Sequence, residues 1–235
     1  NKTMKRRIKN IMEHNLDNEN GMLFQKWINN PKDYKTTKMV YDNLTDNIPD
    51  ELKDIKDYIV SRNSWCVGGD GWAYDIGFSG IDQILSSNDN INILVLDTQI
   101  YSNTGGQASK STPKSAVASF ASMGKKTNRK NLARVAMAYN NAYVAQVSLG
   151  ANPNQLVKAL KEANDYDGPS IVICYSPCIS HGIKNGMENS INQEKLATES
   201  GIFPIFRYNP KSGFTLDSKA NYDLLDEFFL SQTRF

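Results

Sequence analysis

The chain is poor in cysteine and histidine, and it has no long apolar run. Its three cysteines, Cys66, Cys174 and Cys178, are too few and too odd in number for the disulfide framework of a secreted domain. They fit a reducing setting, the cytoplasm or a reducing organelle. No stretch approaches the ~18 to 20 apolar residues of a membrane span, and no signal peptide is visible. No internal repeat or low-complexity tract stands out. A formal net charge of +2 says little about partners. The chain opens at Asn1 without a methionine and stops after Ser231-Gln232-Thr233-Arg234-Phe235, so it reads as a piece of something longer and its missing targeting signals carry little weight. The triplet Asn43-Leu44-Thr45 matches a glycosylation acceptor, but such triplets arise by chance in an Asn-rich sequence.

What is there is the composition of a globular protein, 40% apolar and 22% charged, enough for a sizeable core. Residues 1–63 are rich in Lys, Asn and Asp, with apolar positions at helical intervals: Ile8, Ile11 and Met12, then Leu52, Ile55, Ile59 and Val60. Pro31 and Pro49 interrupt that pattern, which predicts two or three helices forming an appendage. Lys5-Arg6-Arg7 and Lys9 lack interleaved aromatics and read as a solvated helix face, not a nucleic-acid patch.

From residue 64 the texture changes. Short β-rich runs at 64–67, 91–96, 143–147, 170–175 and 203–208 alternate with helix-like stretches at 73–86, 113–122, 131–139 and 153–164. Continuous apolar strands alternating with amphipathic helices predict an α/β fold, a doubly wound and mostly parallel sheet with helices on both faces. Its domain is expected to span 64–220, followed by a helix or tail over 221–235.

The densest cluster of signals is Gly68-Gly69-Asp70-Gly71-Trp72, directly after the first strand. Glycines let the backbone turn sharply and approach a ligand closely, and a helix start aims N–H groups at an anion. The spacing is not the dinucleotide fingerprint, and the Lys and Ser/Thr of a P-loop are missing. Taken alone, Gly69-Asp70-Gly71 reads as either a structural turn or a ligand turn. One βαβ unit later, 28 positions on, comes Leu96-Asp97-Thr98-Gln99-Ile100. Asp70 and Thr98 then fall at the same end of neighbouring strands, where α/β sheets bind ligands. A carboxylate, a hydroxyl and a nearby carbonyl are hard oxygen donors of the kind that suit Mg²⁺, which often completes its shell with phosphate oxygens. A cation there resolves the conflict between an aspartate and a phosphate-binding turn.

This arrangement resembles the Mg²⁺–diphosphate motif of thiamine diphosphate enzymes, which begins Gly-Asp-Gly and usually closes in Asn-Asn; here Asp97-Thr98 stands in place of that pair. The runs GGDGWAYDIG (68–77), LDTQIYSNTGGQASKSTP (96–113) and CYSPCISHG (174–182) together resemble the C-terminal thiamine diphosphate domain of pyruvate:ferredoxin (flavodoxin) oxidoreductase and pyruvate:NADP⁺ oxidoreductase, over about 64–220. The resemblance implies that Asp70, Thr98 and the carbonyl of Ile100 ligate Mg²⁺. It implies that Gly69, Gly71 and Trp72 line the diphosphate turn, and that the loop Thr98, Gln99, Ile100, Tyr101, Ser102 and Asn103 lies against the cofactor. Asn103 would orient substrate at the reacting end; without the family it is a turn residue. Cys178 would be the fourth thiolate of a [4Fe–4S] cluster, with the other three outside this chain.

The implied activity is oxidative decarboxylation of pyruvate to acetyl-CoA and CO₂, with coenzyme A as acyl acceptor and iron–sulfur clusters taking the electrons. Implied partners are the remaining domains of the polypeptide and ferredoxin, flavodoxin or a fused flavoprotein reductase. The resemblance further implies a homodimer, no nucleic acid and no membrane. In this family the glutamate that activates the aminopyrimidine sits in another domain, so residues 1–235 alone are expected to be inactive. A Mg²⁺-nucleotide module and a non-catalytic assembly domain are the competing readings. Ser109, Lys110, Ser111 and Thr112 have the residue types of a phosphate grip but read as a solvated loop ahead of Pro113, and Lys125-Lys126 with Arg129-Lys130 as a solvated turn or, failing that, a docking face for an acidic carrier. Cys66 and Cys174 read as strand interior and His14 as exposed. His181 lacks a carboxylate partner in sequence for a metal or acid–base role, and the methionines read as core filler.

Overall fold

The computed structural model describes residues 2–235, in two compact units, one ending at Ser64 and the other spanning Trp65–Phe235. The first unit is helical: α1 (Lys2–Glu13), α2 (Gly21–Asn29), α3 (Tyr34–Asn43) and the single turn α4 (Asp50–Lys53). The helical spacing in the sequence converges on one core of Ile8, Met12, Phe24, Trp27, Val40, Ile48, Leu52, Ile55 and Ile59. Trp27 is fully buried, and its indole N–H donates to the carbonyl of Ile59 at 2.8 Å, so the large ring is buried without orphaning its donor. Asp33 caps α3 by accepting from the Thr36 amide at 2.6 Å.

The second unit is built on a six-stranded sheet of β1 (Ser64–Gly69), β2 (Ile91–Asp97), β3 (Tyr143–Val147), β4 (Ser170–Tyr175), β5 (Phe206–Asn209) and β6 (Gly213–Leu216), in the order β1-β2-β4-β3-β5-β6. β4 pairs in parallel with both β2 and β3, while β5 runs antiparallel to β3 and β6. Successive strand residues point to opposite faces, and here both faces are apolar. Ile93, Val95, Val144, Ile171, Ile173 and Tyr175 pack on one side with α5 (Phe78–Ser86), α6 (Leu132–Met137) and Phe203. Tyr143, Ala145, Val147 and Val172 pack on the other, against Ala159 and Ala163 of α7 (Pro153–Asp165). Each fully buried Val or Ile among them contributes roughly 1.5–3 kcal/mol of transfer free energy. The chain is thus an α/β protein with helices on both faces of a mostly parallel sheet.

Several local readings change. Residues 113–122, expected as a helix, form turns and isolated bridges: Ser115 and Phe120 have φ of 72° and 65°, which breaks the helical ladder. The segment spends its amides elsewhere, with Ser119 N–H on Gly106 O at 2.8 Å and Ser115 N–H on Lys125 O at 2.8 Å. The helix expected over 73–86 is a π-helical turn, Gly71–Ile76, followed by α5. The last apolar strand starts only at Phe206, because Pro204 cannot donate to a ladder. β6 and the polar helix α8 (Ser190–Glu199) have no counterpart in the sequence pattern, whereas the span 221–235, expected as a helix or tail, holds a 3-10 turn and then α9 (Leu225–Leu230). Met22 and Met123 are exposed, not core filler. Among the described residues no helix is long and apolar enough to cross a membrane.

Candidate functional site: oxygen donors at the ends of β1 and β2

Parallel register places the carboxyl ends of β2, β3 and β4 side by side, with Asp97 opposite Tyr175 and Val147 opposite Cys174. The glycine-rich turn, the loop after Asp97 and the loop carrying Cys178 leave β1, β2 and β4. The glycines divide by what surrounds them. A Cβ on Gly68 would lie 2.4 Å from the Trp72 ring, and one on Gly71 would lie 2.3 Å from the Tyr101 ring. A Cβ on Gly69 would meet only the Leu96 carbonyl, at 3.9 Å. Gly68 and Gly71 are therefore required by the chain's own packing, while the exposed backbone at Gly69 lies open for a ligand to approach. Gly71→Ala must push the Tyr101 ring off its 3.2 Å hydrogen bond to the Gly71 carbonyl. We expect it to cost about 1–3 kcal/mol in urea unfolding, the usual penalty of overpacking.

Asp70 is 1% exposed, and its two oxygens have separate partners. The Thr98 hydroxyl lies 2.7 Å from Oδ1 and 2.9 Å from the Ile100 carbonyl, and the Ser102 hydroxyl approaches Thr98 Oγ1 at 3.0 Å. The oxygens of Asp70, Thr98 and Ile100 thus cluster around a single Thr98 proton, which can satisfy only one acceptor at a time. Burial, and then the neighbouring charge of Asp97, pushes the Asp70 carboxyl up to about 6. A buried carboxylate, a hydroxyl and a carbonyl, crowded together and short of positive charge, fit a hard divalent cation. Among the described residues no three His, Cys, Asp or Glu side chains gather into a metal site.

The second oxygen of Asp70 accepts from Ser109 Oγ at 2.5 Å. Ser109, Ser111 and Thr112 are buried, contrary to the solvated-loop reading; only Lys110 is exposed. Ser111 Oγ donates to Asp97 Oδ1 at 2.6 Å, and Thr112 Oγ1 donates to the Gln99 carbonyl at 2.6 Å. Two buried carboxylates need donors, and this loop provides them. Arg129 likewise leaves the solvated-turn reading: its guanidinium pairs with the fully buried Asp97 and donates to Tyr74 Oη at 3.0 Å and Ser111 Oγ at 3.2 Å. Tyr74 completes the set by donating to Asp97 Oδ2 at 3.0 Å. Lys110 forms an ion pair with Asp75 at 3.0 Å.

His181 is fully buried, and its Nε2 lies 2.6 Å from the Thr98 carbonyl, which can only accept. Burial, reinforced by the charge of Arg234, holds the imidazole down to about 3, so it stays neutral, with the proton on Nε2. It orients the Thr98 loop; it is not placed as a metal ligand. Gln99, between Thr98 and Ile100, is buried in the left-handed conformation, φ 58°. Ser102 and Asn103 are exposed at the loop tip, Tyr101 is half-buried, and Trp72 packs against the sheet core. Cys178 is buried beyond β4, with Sγ accepting from the Ser180 amide at 3.4 Å. Cys174 is half-buried, its thiol pushed up to about 12 by burial, and Cys66 is half-buried in β1.

Comparison with known proteins shows the class of protein to which this fold belongs. Residues 56–174 match the family "Thiamine pyrophosphate enzyme, C-terminal TPP binding domain", and the chain belongs to that family. Asp70, Thr98 and Ser109 fall inside the matched region; Cys178 lies beyond it. Among individual relatives, the chain is 42% identical over 226 residues to a pyruvate-flavodoxin oxidoreductase of Klebsiella pneumoniae, covering 90% of this chain and 19% of that protein. It is 49% identical over 197 residues to the pyruvate:ferredoxin oxidoreductase of Moorella thermoacetica, covering 80% of this chain and 17% of that one. Against the mitochondrial pyruvate dehydrogenase [NADP(+)] of Euglena gracilis the identity is 42% over 238 residues, covering 97% of this chain and 13% of the relative. The chain therefore spans less than a fifth of the length of these curated relatives.

Proposed function

We propose that residues 64–220 form the thiamine diphosphate/Mg²⁺-binding domain of a 2-oxoacid oxidoreductase that converts pyruvate to acetyl-CoA and CO₂ and passes electrons to iron–sulfur clusters. The observation that carries this reading is the meeting of Asp70 Oδ1 and the Ile100 carbonyl on the Thr98 hydroxyl, 2.7 and 2.9 Å from it, beside the open backbone at Gly69. Asp70, Thr98 and Ile100 would hold the magnesium ion, and Gly69, Gly71 and Trp72 the diphosphate. When bound, thiamine diphosphate supplies the nucleophilic thiazolium carbon and the electron sink for decarboxylation.

The chain's own work is to bind, orient and shield. Ser109 and Thr98 fix the two oxygens of Asp70, so the carboxylate is ordered before a cation arrives. Gln99, Tyr101 and Ser102 shape the loop, and Asn103, exposed at its tip, would meet substrate there. Cys178 would supply one of four thiolates to a [4Fe–4S] cluster, with the others from outside these residues. Coenzyme A as acyl acceptor, ferredoxin, flavodoxin or a fused flavoprotein reductase as electron acceptor, a homodimeric assembly and a cytoplasmic or reducing-organelle location follow from the same reading. Residues 1–235 alone are expected to turn nothing over.

Calorimetry separates this from the nucleotide and assembly readings. Thiamine diphosphate should bind the full-length protein only with Mg²⁺ present, and ADP with Mg²⁺ should not displace it. Displacement by ADP would favour a nucleotide module; no heat with either ligand would favour an assembly role.

A further inference from the structure

Arg234 is 3% exposed, yet both hydrogen-bond partners its guanidinium has among the described residues are carboxamides, not carboxylates, and the Phe235 ring centroid lies 5.0 Å from it. Nε donates to Gln232 Oε1 at 2.7 Å, Nη2 donates to Gln99 Oε1 at 2.7 Å, and Nη1 is buried with no hydrogen-bond partner among the described residues. Burying a cation against neutral acceptors is costly. The same investment made for stability alone would be met by an apolar side chain.

The location of the contact suggests a purpose. Gln99 separates Thr98 and Ile100, the two loop residues whose oxygens converge on Asp70. Its left-handed backbone is unfavourable for a side chain of that size, so the surroundings must over-determine it. Gln99 N–H donates to Asp97 Oδ1 at 3.2 Å, Thr112 Oγ1 donates to the Gln99 carbonyl, and His181 Nε2 holds the Thr98 carbonyl. Among the described residues Arg234 alone hydrogen-bonds the Gln99 side chain, from 135 positions away.

Arg234 is itself tied down. The Val117 amide donates to the Arg234 carbonyl at 2.7 Å, Thr233 N–H to Gly182 O at 2.9 Å, and Lys184 N–H to Ser231 O at 2.9 Å. Gly182 is pressed so closely that a Cβ there would lie 1.7 Å from Thr233 Oγ1. The Phe235 ring packs against Phe228 and Phe229, with centroids 6.0 and 5.0 Å away.

We propose that residues 231–235 form a strap across the cofactor loop, and that Arg234 is a positioning residue: through Gln99 it fixes the spacing of the Thr98 and Ile100 oxygens without touching any ligand. The identity of that ligand rests on the proposed function; the mechanical coupling does not.

The test uses Arg234→Met, Arg234→Lys, Gln99→Met and the Arg234→Met/Gln99→Met pair in the full-length protein. Two quantities are read: amide exchange at residues 98–101 without metal, and Mn²⁺ affinity with thiamine diphosphate by electron paramagnetic resonance. Arg234→Met should speed exchange at 98–101 and weaken Mn²⁺ binding about tenfold, at the low end for outer-shell partners. Gln99→Met should do the same, the pair should cost no more than either alone, and Arg234→Lys should recover part of the loss. Unchanged exchange and affinity beside a lowered Tm, or additive effects in the pair, would overturn the proposal. If Arg234→Met does not fold, Gln99→Met alone reads the coupling. A wild-type protein that takes up no Mn²⁺ would refute the cofactor reading, and exchange at 98–101 would then decide the strap alone.

Discussion

Asp70→Asn should abolish Mg²⁺-dependent thiamine diphosphate binding while leaving the ligand-free protein at least as stable as wild type. The two halves of this result have one cause. Asp70 is buried near Asp97, and its folded-state value of about 6 stands above the ordinary 3.8. For a group raised on folding, the contribution to stability is fully present below the unfolded value and is lost as pH rises through about 6. At pH 7.5 the ionised carboxylate therefore costs the ligand-free fold up to about 3 kcal/mol by linkage. Asparagine removes the charge and keeps one acceptor for Ser109 or Thr98, so thermal unfolding without ligand should shift upward or stay put. The same change deletes the charged member of the oxygen cluster. Affinity should fall by more than the roughly 10–100-fold that loss of an outer-shell partner costs. Calorimetry beside a melting curve reads both. A variant that binds normally, or one that loses binding only because it unfolds, would contradict the assignment.

Arg129→Met should strongly destabilise the second unit. It leaves Asp97, 0% exposed at the end of β2, as a buried carboxylate without its cation. Tyr74, Ser111 and the Gln99 amide still donate to it, but three neutral donors do not replace a guanidinium. Breaking a buried pair from one side costs about 3–5 kcal/mol. Adding Asp97→Asn should return much of that loss, because the pair is then neutral on both sides. Urea unfolding of the two variants decides this. A loss under about 1 kcal/mol in the single variant, within the range of an exposed pair, would mean Arg129 is the solvated side chain its sequence context suggests.

That context shows why some parts of the site were legible and others were not. β3 and β4 fill the spans their apolar runs define, because a strand covered on both faces leaves an unbroken signal. The meeting of Asp70 and Thr98 was legible for a related reason: one βαβ unit returns the chain to the same sheet edge. Ser109, Ser111 and Thr112 were not. Their residue types are those of a solvated turn, and only the two carboxylates beneath them, brought in from other strands, draw them inside. A buried acid ending an apolar strand calls for a cation, but nothing near Asp97 in sequence says that it is Arg129, set within a Lys-rich run. The φ of Gln99 is invisible for the same reason, being imposed by Asp97, Thr112 and Arg234 together. The helix expected over 113–122 failed because its amides serve the Gly106 loop and residue 125, contacts that periodicity does not register. α8 escaped notice since its polar residues outweigh any apolar stripe.

The most direct measurement is anomalous diffraction at the manganese edge from crystals of the full-length protein grown with Mn²⁺ and thiamine diphosphate. One manganese peak is expected in this region, bonded to Asp70, Thr98 Oγ1, the Ile100 carbonyl and the diphosphate. Manganese elsewhere, or a diphosphate seated in this turn with no metal between it and Asp70, would contradict it.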